Sequence, residues 1–445
     1  MKQKINLILT IVLSLYSSYN MAQENNEISQ DYLSKLPNLM SENKVPCVSI
    51  CFIEDGEVTH AEVYGELRKG VPAPQNTVFN IASMTKPIVA VLTLKLVESG
   101  QWNLDYPVYK YWIDPDVRND SLLKKLTTRH ILTHQSGLPN WRGSNKLKFD
   151  FEPGTKYQYS GEGFEYLRKA LENKFNSSLS SIADSVLFRP LGMSSTFFAS
   201  NDSIRNRMAF GHDGNNIVYE GQTWNQVNAA GSILTTAENL GKFVIYVMNG
   251  AGLSQALFNE MVRPQVQLKE HVAKGLGWGL ISDLPGNEYA MEHGGSNPGF
   301  QSMMIILPNS KRAIVVLTNS DNGMFVYNSI IEDAFVVGRD IVNLSHDSYQ
   351  AKVISMSNEV LDQYVGTYNR SDVNGYRIYI SREDNDLVIS GDAIPTIKLL
   401  PEAENKFFTK GLPYEYEFVK NEHNDILQLN ISEKGKLLLH ATKTK

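Results

Sequence analysis

The sequence predicts a mixed α/β (α+β) fold, in which an antiparallel sheet is flanked by helices and a helical lobe, and a small all-β barrel follows. Segments with the alternation of β-strands lie on both sides of a mainly helical stretch, residues 103–272. Beyond residue 360, eight short alternating runs are separated by turn residues, as in small barrels and sandwiches; we favour a barrel. We therefore divide the chain into a leader (1–22), an α/β domain (23–345), a linker (346–359) and a β-barrel domain (360–445).

The length and composition limit the classes of protein to consider. At 445 residues, the chain is longer than a single hydrophobic core usually supports. Its hydrophobic content of 42% and charged content of 20% are those of a globular protein. The formal net charge of −6 and the lack of a basic stripe argue against a nucleic-acid partner.

The N-terminus has the pattern of a secretory signal peptide. Lys2 and Lys4 precede an apolar run from Ile5 to Tyr16, and small and polar residues follow. The run is shorter than the roughly 20 residues that a membrane span needs, so we expect no stable membrane anchor. Cleavage after Ala22 would give a secreted, periplasmic protein.

The first two predicted strands form a hairpin. They are VPCVSICFIEDG and EVTHAEVYGEL, joined by a turn at Asp55-Gly56. Cys47 and Cys51, the only cysteines in the chain, would lie about 13 Å apart on one face of the first strand, too far for a disulfide. We therefore interpret both as small buried hydrophobic residues.

The segment from Phe79 to Gly100 holds the first chemical signal. It predicts a short extended lead-in and then a long helix that is apolar nearly all round and therefore buried. Ser83 and Lys86 are three residues apart, so their side chains share one helix face. An amine at that spacing can take the proton of a hydroxyl, although S-x-x-K alone also occurs by chance in helices. Pro87 is tolerated because it lies in the first turn.

Two later segments supply further candidates. PGTKYQYSGEGF contains Tyr159 in the helical lobe, and EHGGSNPGF contains His293 on a strand expected beside the Ser83 helix. Acyl transfer needs a second proton-handling group and an oxyanion hole in addition to the nucleophile. A phenol and a glycine-rich strand could provide them, while the alternative for Tyr159 is a core aromatic residue.

With these blocks in place, residues 31–344 resemble the class C β-lactamase and penicillin-binding-protein-like serine hydrolases, which include esterases and D-aminopeptidases. Four blocks match in order: FNIASMTKPIVAVLTLKLVESGQWNLDYPV, LTTRHILTHQSGLP, EPGTKYQYSG and HGGSNPGF. The resemblance implies a β-lactamase/transpeptidase-like sheet and lobe. The added C-terminal domain is expected to be a lipocalin-like barrel, whose task the sequence leaves open between ligand binding and packing.

The resemblance also implies roles for the site residues. Ser83 would be the acyl-accepting nucleophile, Lys86 its partner, and Tyr159 a phenol that assists proton transfer. Whether Lys86 or Tyr159 removes the serine proton stays open. His293 would begin the strand motif that is K-T-G in many relatives and H-x-G in many esterase-like ones.

The same motif would complete the oxyanion hole. The resemblance implies that the backbone N–H groups of Ser83 and Ser296 bind the oxyanion. Gly294 and Gly295 would leave room for a substrate that lies along the strand. No metal and no cofactor are expected.

Two positions depart from the family pattern. Gly161 stands where relatives usually carry an asparagine whose amide contacts the acyl amide of the substrate. His293 replaces a lysine that would hold a substrate carboxylate. Both departures favour ester or peptide substrates over β-lactams and D-Ala-D-Ala peptides.

Three patterns have simpler explanations. Ser320-Asp321-Asn322 spells S-D-N but follows the H-G-G strand, so we interpret it as a strand-end turn. His130 and His134 share a helix face, but no H-E-x-x-H motif is present, and we expect a structural role. Trp141 could line the pocket or cover the lobe.

The favoured hypothesis is a secreted serine hydrolase that cleaves an ester or amide through an acyl-enzyme on Ser83. Its substrate would be a small ester, a D-amino-acid peptide or a β-lactam-like compound. The alternative is a non-catalytic penicillin-binding-like protein that binds cell-wall peptides or a protein partner. The sequence does not predict an oligomeric state.

Overall fold

A computed structural model describes residues 30–345, 353–370, 377–391, 394–409, 414–433 and 436–444. The predicted signal peptide and the first half of the predicted linker, residues 346–352, lie outside these ranges. Within them, no helix combines the length and the apolar character that a membrane crossing requires.

Nine strands form one antiparallel sheet, in the order β3-β2-β1-β11-β10-β9-β8-β7-β6. Two further strands, β4 and β5, pair separately. The bounds are β1 Cys47–Glu54, β2 Glu57–Arg68, β3 Val71–Pro72, β4 Phe79–Asn80, β5 Leu234–Thr235, β6 Val266–Lys269, β7 Val272–Lys274, β8 Gly279–Leu284, β9 Glu288–Asn297, β10 Phe300–Leu307 and β11 Arg312–Thr318.

The sheet joins the two ends of the α/β part of the chain. β1 pairs with β11, from Val48 opposite Thr318 to Ile53 opposite Ala313. The predicted β1–β2 hairpin turns at Asp55-Gly56, where both residues have positive φ angles, 50° and 80°. This pairing confirms the prediction that the strands on either side of the helical stretch form one sheet.

Both faces of the central strands are buried. Cys47, Cys51 and Ile53 of β1 belong to the core on the side of the helical lobe. The alternate residues Ile50 and Phe52 belong to a second core on the opposite face. Because successive side chains of a strand point to opposite faces, a strand covered on both sides is apolar throughout. The two cysteines are buried and free, as predicted.

Helices cover both faces of the sheet. The first helix, the last two of this region and the second core lie on one face; the Ser83 helix and the lobe lie on the other. The bounds are α1 Gln30–Glu42, α2 Thr85–Glu98, α3 Thr128–Leu132, α4 Gly161–Phe175, α5 Leu179–Ala183, α6 Ala237–Met248, α7 Gln255–Val262, α8 Gly323–Ala334 and α9 Gly338–Ser345. A π-helical turn, Asp184–Phe188, and short 3₁₀ turns complete the lobe.

Two details of the fold differ from the sequence prediction. The sequence from Met324 to Val342 predicts a single helix, which is wrong: the helix is interrupted between α8 and α9, where Phe335 adopts an extended conformation and its ring lies 5.9 Å from that of Phe52. The two-residue strand β5 was also missed, because two residues are too few to show a period, whereas its partner β4 is the extended lead-in predicted before Ser83.

The C-terminal part is a closed barrel of eight antiparallel strands in sequential order, as predicted. Tyr364, Tyr368, Phe407 and Phe418 form an aromatic cluster inside it, with Phe418 at the centre. A short helix, α10 Asn358–Leu361, precedes the strands β12 Gly366–Arg370, β13 Arg377–Glu383, β14 Asp386–Gly391, β15 Ile394–Ala403, β16 Lys406–Phe408, β17 Tyr414–Lys420, β18 Ile426–Glu433 and β19 Lys436–Lys443.

The barrel has its own core and also contacts the α/β part. Phe325 of α8 packs against the barrel core, and Lys44 Nζ donates to Thr396 Oγ1 at 3.2 Å. The domain boundaries inferred from the sequence remain a prediction.

Replacing Phe418 by alanine tests that division. The side chain is fully buried, so we expect its loss to lower the free energy of unfolding of the barrel by about 3–5 kcal/mol. Calorimetry should show one transition moved down in temperature and a second one, from the α/β part, unmoved. Val419→Ala, at a partly exposed neighbour, is the control. A single transition that moves as a whole would contradict two separately folding domains.

Candidate active site

The serine lies in a strained turn that leads into the buried helix. Ser83 is the middle residue of a 3₁₀ turn, Ala82–Met84, and α2 begins at Thr85. Ala82 has a φ angle of +46°, an unusual conformation for a residue with a side chain. The sequence predicted a serine at the start of the helix, and in the structure Ser83 lies two residues before the first residue of α2. The following α2 is buried along most of its length, which fixes the turn firmly.

Lys86 is buried in direct contact with the serine. Its Nζ lies 3.1 Å from Ser83 Oγ and donates to the carbonyl oxygen of Ala230 at 2.8 Å. The side chain is 1% exposed, and no carboxylate pairs with it among the described residues. Burial without a counter-ion lowers the pKa of Lys86 to about 7.

Tyr159 is the third candidate that lies beside Ser83 and Lys86. Its side chain and Ser83 line the same cavity, and Lys86 Nζ lies 4.7 Å from the centre of its ring. Burial raises the pKa of Tyr159 to about 12, so the phenol is protonated near neutral pH. The structure thus brings together Ser83, Lys86 and Tyr159, as the sequence predicted.

His134 holds the segment that carries Tyr159. Its carbonyl oxygen accepts from Gln158 N–H at 2.8 Å, and its Nδ1 accepts from Ser160 N–H at 3.1 Å. The imidazole also lies against the Tyr159 ring, with centroids 4.3 Å apart. Burial and the nearby Lys86 keep the pKa of His134 well below its usual range. A neutral His134 can therefore accept the Ser160 hydrogen bond.

Strand β9 forms the opposite wall. Its pairing with β8 ends at Gly279 opposite Glu292, so residues 293–297 have no strand partner on that side within the described chain. Gly295 touches the serine turn: a Cβ there would lie 2.1 Å from the carbonyl oxygen of Ile81. Only glycine allows this close approach.

Asn80 ties these parts together. This fully buried side chain accepts from Ala82 N–H at 3.1 Å and from Asn297 Nδ2 at 2.7 Å through Oδ1. Its Nδ2 donates to the carbonyl oxygen of Gly231 at 3.3 Å. One carboxamide thus joins the serine turn, the end of β9 and the segment around Ala230, whose carbonyl oxygen accepts a hydrogen bond from Lys86.

His293 lines the cavity but makes no hydrogen bond to the catalytic candidates among the described residues. Its Nδ1–H donates to the carbonyl oxygen of Gly294 at 2.7 Å. Burial and the cations Lys274 and Lys86 lower the pKa of His293 to about 3, so it is neutral. A cation is nevertheless present in this cavity, since Lys274 reaches it from β7 and lies 3.8 Å from Glu292.

Gly161 does not line the cavity, unlike the other predicted site residues. The indole of Trp141 lies over it, and a Cβ at this position would be 2.5 Å from Trp141 Cζ2. Trp141, which the sequence left unassigned, lines the cavity beside Asn140. Position 161 therefore does not face this cavity, and Asn140 and Trp141 of the neighbouring loop line it instead.

Together these residues enclose a cavity of about 490 Å³, open to solvent. A larger one, about 760 Å³, lies beside the π-helical turn and contains none of the candidates. The described residues hold no group of three or more His, Cys, Asp or Glu that could bind a metal ion. The lining of the smaller cavity is Ser83, Lys86, Asn140, Trp141, Tyr159, Ala230, Gly231, Lys274, Glu292–Asn297, Gln301, Met303, Tyr327 and Ser345.

Several of these residues have no signal in the sequence that would have predicted them. Asn80 lies three residues before Ser83, and Asn140 follows the matched block LTTRHILTHQSGLP, but neither belongs to a periodic pattern. Ala230 contributes only its backbone oxygen, which leaves no signal in the sequence. The S-D-N segment is structural, as expected, since Asp321 accepts from Gly299 N–H and Tyr219 Oη.

A comparison of the sequence with protein-family models shows which family the chain belongs to. The model of the family described as Beta-lactamase matches residues 34–335. The chain belongs to the Beta-lactamase family. Penicillin-binding protein 4* of Bacillus subtilis (strain 168) is 22% identical over 414 residues, which cover 83% of this chain and 89% of that protein.

Solved structures of this family share the fold. The octameric penicillin-binding protein homologue from Pyrococcus abyssi superposes with a TM-score of 0.62 at 20% identity, covering 92% of this chain and 100% of that one. A class C beta-lactamase superposes with a TM-score of 0.57 at 19% identity, covering 68% and 93%. These findings confirm the resemblance and the fold inferred from the sequence.

A pair of glycine substitutions tests the packing of β9 on the serine turn. In Gly295→Ala, the new methyl group would overlap the backbone of Ile81, so we expect the turn to shift and the rate of Ser83 acylation to fall by a factor of about 10². In Gly294→Ala, the nearest atom would be the flexible Met303 Cε at 3.4 Å, and we expect a much smaller loss. Burst kinetics with an activated ester measure both. Equal losses in the two variants would contradict this packing.

Proposed function

We propose that this protein is a serine hydrolase that cleaves an ester or amide bond through an acyl-enzyme on Ser83. The observation that carries the proposal is the contact of a buried, unpaired lysine with a serine hydroxyl, 3.1 Å from Lys86 Nζ to Ser83 Oγ. Membership of a family that contains hydrolases agrees with it. The proposal also treats the protein as secreted and periplasmic, which rests on the N-terminal sequence alone.

Lys86 is the group best suited to remove the serine proton. With a pKa near 7, about half of its amine groups are neutral at neutral pH, and a neutral amine has a lone pair that can accept the Ser83 proton. Tyr159, with a pKa near 12, holds its own proton and is suited to donate it to the leaving group. The pKa values thus favour Lys86 as base, which the sequence had left open.

The residues around Lys86 also stabilise the ammonium form of its side chain, which arises during the reaction. After proton transfer, the Lys86 ammonium group would donate to the carbonyl oxygen of Ala230 and lie over the ring faces of Tyr159 and Phe164, at 4.7 and 5.7 Å. Cation–π contacts of this kind stabilise a desolvated cation by about 1–2 kcal/mol. Proton transfer to Lys86 is therefore reversible, as catalysis requires.

The strand pairing supports an oxyanion hole at Ser296. Asn297 and Phe300 close the tight turn between β9 and β10. In antiparallel pairing, consecutive residues direct their N–H groups to opposite sides. If Asn297 bonds to β10, Ser296 directs its N–H to the unpaired edge that faces the serine turn. The Ser83 N–H is the second donor in this proposal.

The reaction then follows in two steps. Ser83 Oγ attacks the carbonyl carbon as Lys86 takes its proton, and the leaving group departs with a proton from Tyr159, which Lys86 restores. Water next attacks the acyl-enzyme and gives a proton to the same Lys86–Tyr159 pair, which returns it to Ser83 Oγ as the bond between that oxygen and the acyl carbon breaks and the acid leaves. The two N–H donors would hold the negative oxygen in both steps; losing one such donor typically costs about 10²–10³ in rate.

Covalent labelling tests the proposal directly. A fluorophosphonate should label the wild-type protein at one site, and intact mass with peptide mapping should place the adduct on Ser83. Ser83→Ala should lose the label completely, and Ser144→Ala, at an exposed serine outside the cavity, should keep it. No labelling and no ester hydrolysis by the wild type would contradict catalysis and favour the non-catalytic binding protein.

The pH dependence tests the role of Lys86. Because the neutral amine is the reactive form, log(kcat/KM) for a neutral ester should rise with a slope near 1 below about pH 7 and level off above it. Lys86→Met should lose activity by several orders of magnitude, and Lys95→Met, on the same helix, should keep the profile. A rate that rises only around pH 10, as an unperturbed lysine would give, would contradict the assignment.

A further inference from the structure

We propose that Asp321 is a positioning residue, which sets the direction of the Ser296 N–H group in the oxyanion hole by holding the turn between β9 and β10. The inference rests on the proposed acyl-enzyme function and on the two oxyanion donors assigned there. Asp321 lies outside the set of residues that line the Ser83 cavity. It therefore acts on the reaction only through the turn, and not through the substrate.

The turn between β9 and β10 has the pattern of a type II β-turn. Asn297 pairs with Phe300, and the two residues between them are Pro298 and Gly299. Proline fixes its own φ at about −65°, and Gly299 has a φ of +77°, close to the value of about +80° at the third position of a type II turn. Two-residue hairpins favour types I′ and II′, because type I and II turns splay the strands. This turn therefore needs support from outside the hairpin.

Side chains hold both ends of the central peptide unit of this turn. The carbonyl oxygen of Pro298 accepts from Gln222 Nε2 at 2.8 Å, and Gly299 N–H donates to Asp321 Oδ1 at 2.6 Å. These two backbone groups belong to the same peptide bond. Because turn types I and II differ by a flip of this unit, the two hydrogen bonds together select one of its two orientations.

The Asp321 carboxylate is itself held in place. The residue follows the end of β11, and its N–H donates to the carbonyl oxygen of His212 at 3.0 Å. Its second carboxylate oxygen, Oδ2, accepts from Tyr219 Oη at 2.7 Å. Burial and the Asp321 carboxylate raise the pKa of Tyr219 to about 12, so the phenol keeps the proton that it donates. Oδ1 is therefore presented to the turn in a defined position.

The turn determines where the Ser296 N–H points, because Ser296 comes two residues before Pro298 on the free edge of the sheet. Residues 293–297 have no strand partner on the side of the serine turn within the described chain. A turn that closes on the Asn297–Phe300 pair directs the Asn297 N–H to β10, and the preceding N–H, that of Ser296, to the opposite side. A flip of the central peptide unit would twist the end of β9 and displace this donor.

Two esters that differ only in the oxyanion atom test the inference. The p-nitrophenyl ester of pentanoic acid has a C=O group, and its thiono analogue has C=S with the same acyl chain and leaving group. Sulfur is a weaker hydrogen-bond acceptor, so a well-placed oxyanion hole favours the oxygen ester beyond the ratio measured with hydroxide ion. In Asp321→Ala, we expect the ratio of kcat/KM for the oxygen ester to that for the thiono ester to fall about tenfold. A mere loss of folded enzyme lowers both rates equally and leaves the ratio unchanged.

Control variants separate position from stability. Asp321→Asn keeps an oxygen that accepts from Gly299 N–H and should retain the wild-type ratio. Asp120→Ala removes another carboxylate that accepts a backbone N–H, that of Leu122 at 2.9 Å, away from the cavity, and should also leave the ratio unchanged. Gln222→Ala, which frees the other end of the same peptide unit, should lower the ratio and replaces Asp321→Ala if that variant does not fold.

The inference would be overturned by an unchanged ratio in Asp321→Ala or, where that variant does not fold, in Gln222→Ala. A fall of equal size in Asp321→Asn or in Asp120→Ala would overturn it too, as would a wild-type ratio no larger than that of hydroxide ion. Absence of fluorophosphonate labelling at Ser83 would instead overturn the proposed function, and the inference with it.

Discussion

The burial of one lysine without a counter-ion is the constraint on which the site depends. Lys86 is enclosed by α2, by the Tyr159 segment and by the backbone at Ala230, and no carboxylate pairs with it in the described chain. A pKa near 7 corresponds to about 5 kcal/mol in favour of the neutral amine relative to a lysine in water. A fold can keep such a group only if the surrounding core supplies the stability, and the two large cores on either side of the sheet do so.

The geometry around the lysine is held by polar side chains from distant parts of the chain. Asn80 joins the serine turn to β9, and His134 fixes the backbone on both sides of Tyr159. Each bond alone contributes about 1 kcal/mol to stability. Their larger effect is on position, because a serine and a base displaced by 1 Å lose much of their advantage. The strained φ of Ala82 is maintained by the same contacts.

Much of this arrangement could be predicted from the sequence. The alternation of β1 and of the eight barrel strands, and the apolar helix after Ser83, are local patterns that the fold preserves. The nucleophile, the amine and the phenol were found through S-x-x-K and the family blocks. What escaped prediction depends on contacts between distant segments. Neither the packing of Trp141 on Gly161 nor the entry of Lys274 into the cavity has a local signal.

The two departures from the family pattern, Gly161 and His293, are therefore weaker evidence about the substrate than the sequence alone indicated. Loss of the amide at position 161 is accompanied by an amide at Asn140, and loss of the lysine at position 293 by a cation at Lys274. Both side chains line the cavity, where Lys274 lies 3.8 Å from Glu292. Substrate selection in this chain accordingly has to be argued from the folded cavity.

Direct titration of Lys86 tests the central claim most directly. Nitrogen-15 NMR of the lysine amines, with the signal assigned through Lys86→Arg, gives the pKa without reference to any substrate. The account predicts that the Lys86 amine titrates near pH 7, well below an unperturbed lysine. A Lys86 pKa above 9 would contradict it, because the serine would then have no base within reach at neutral pH.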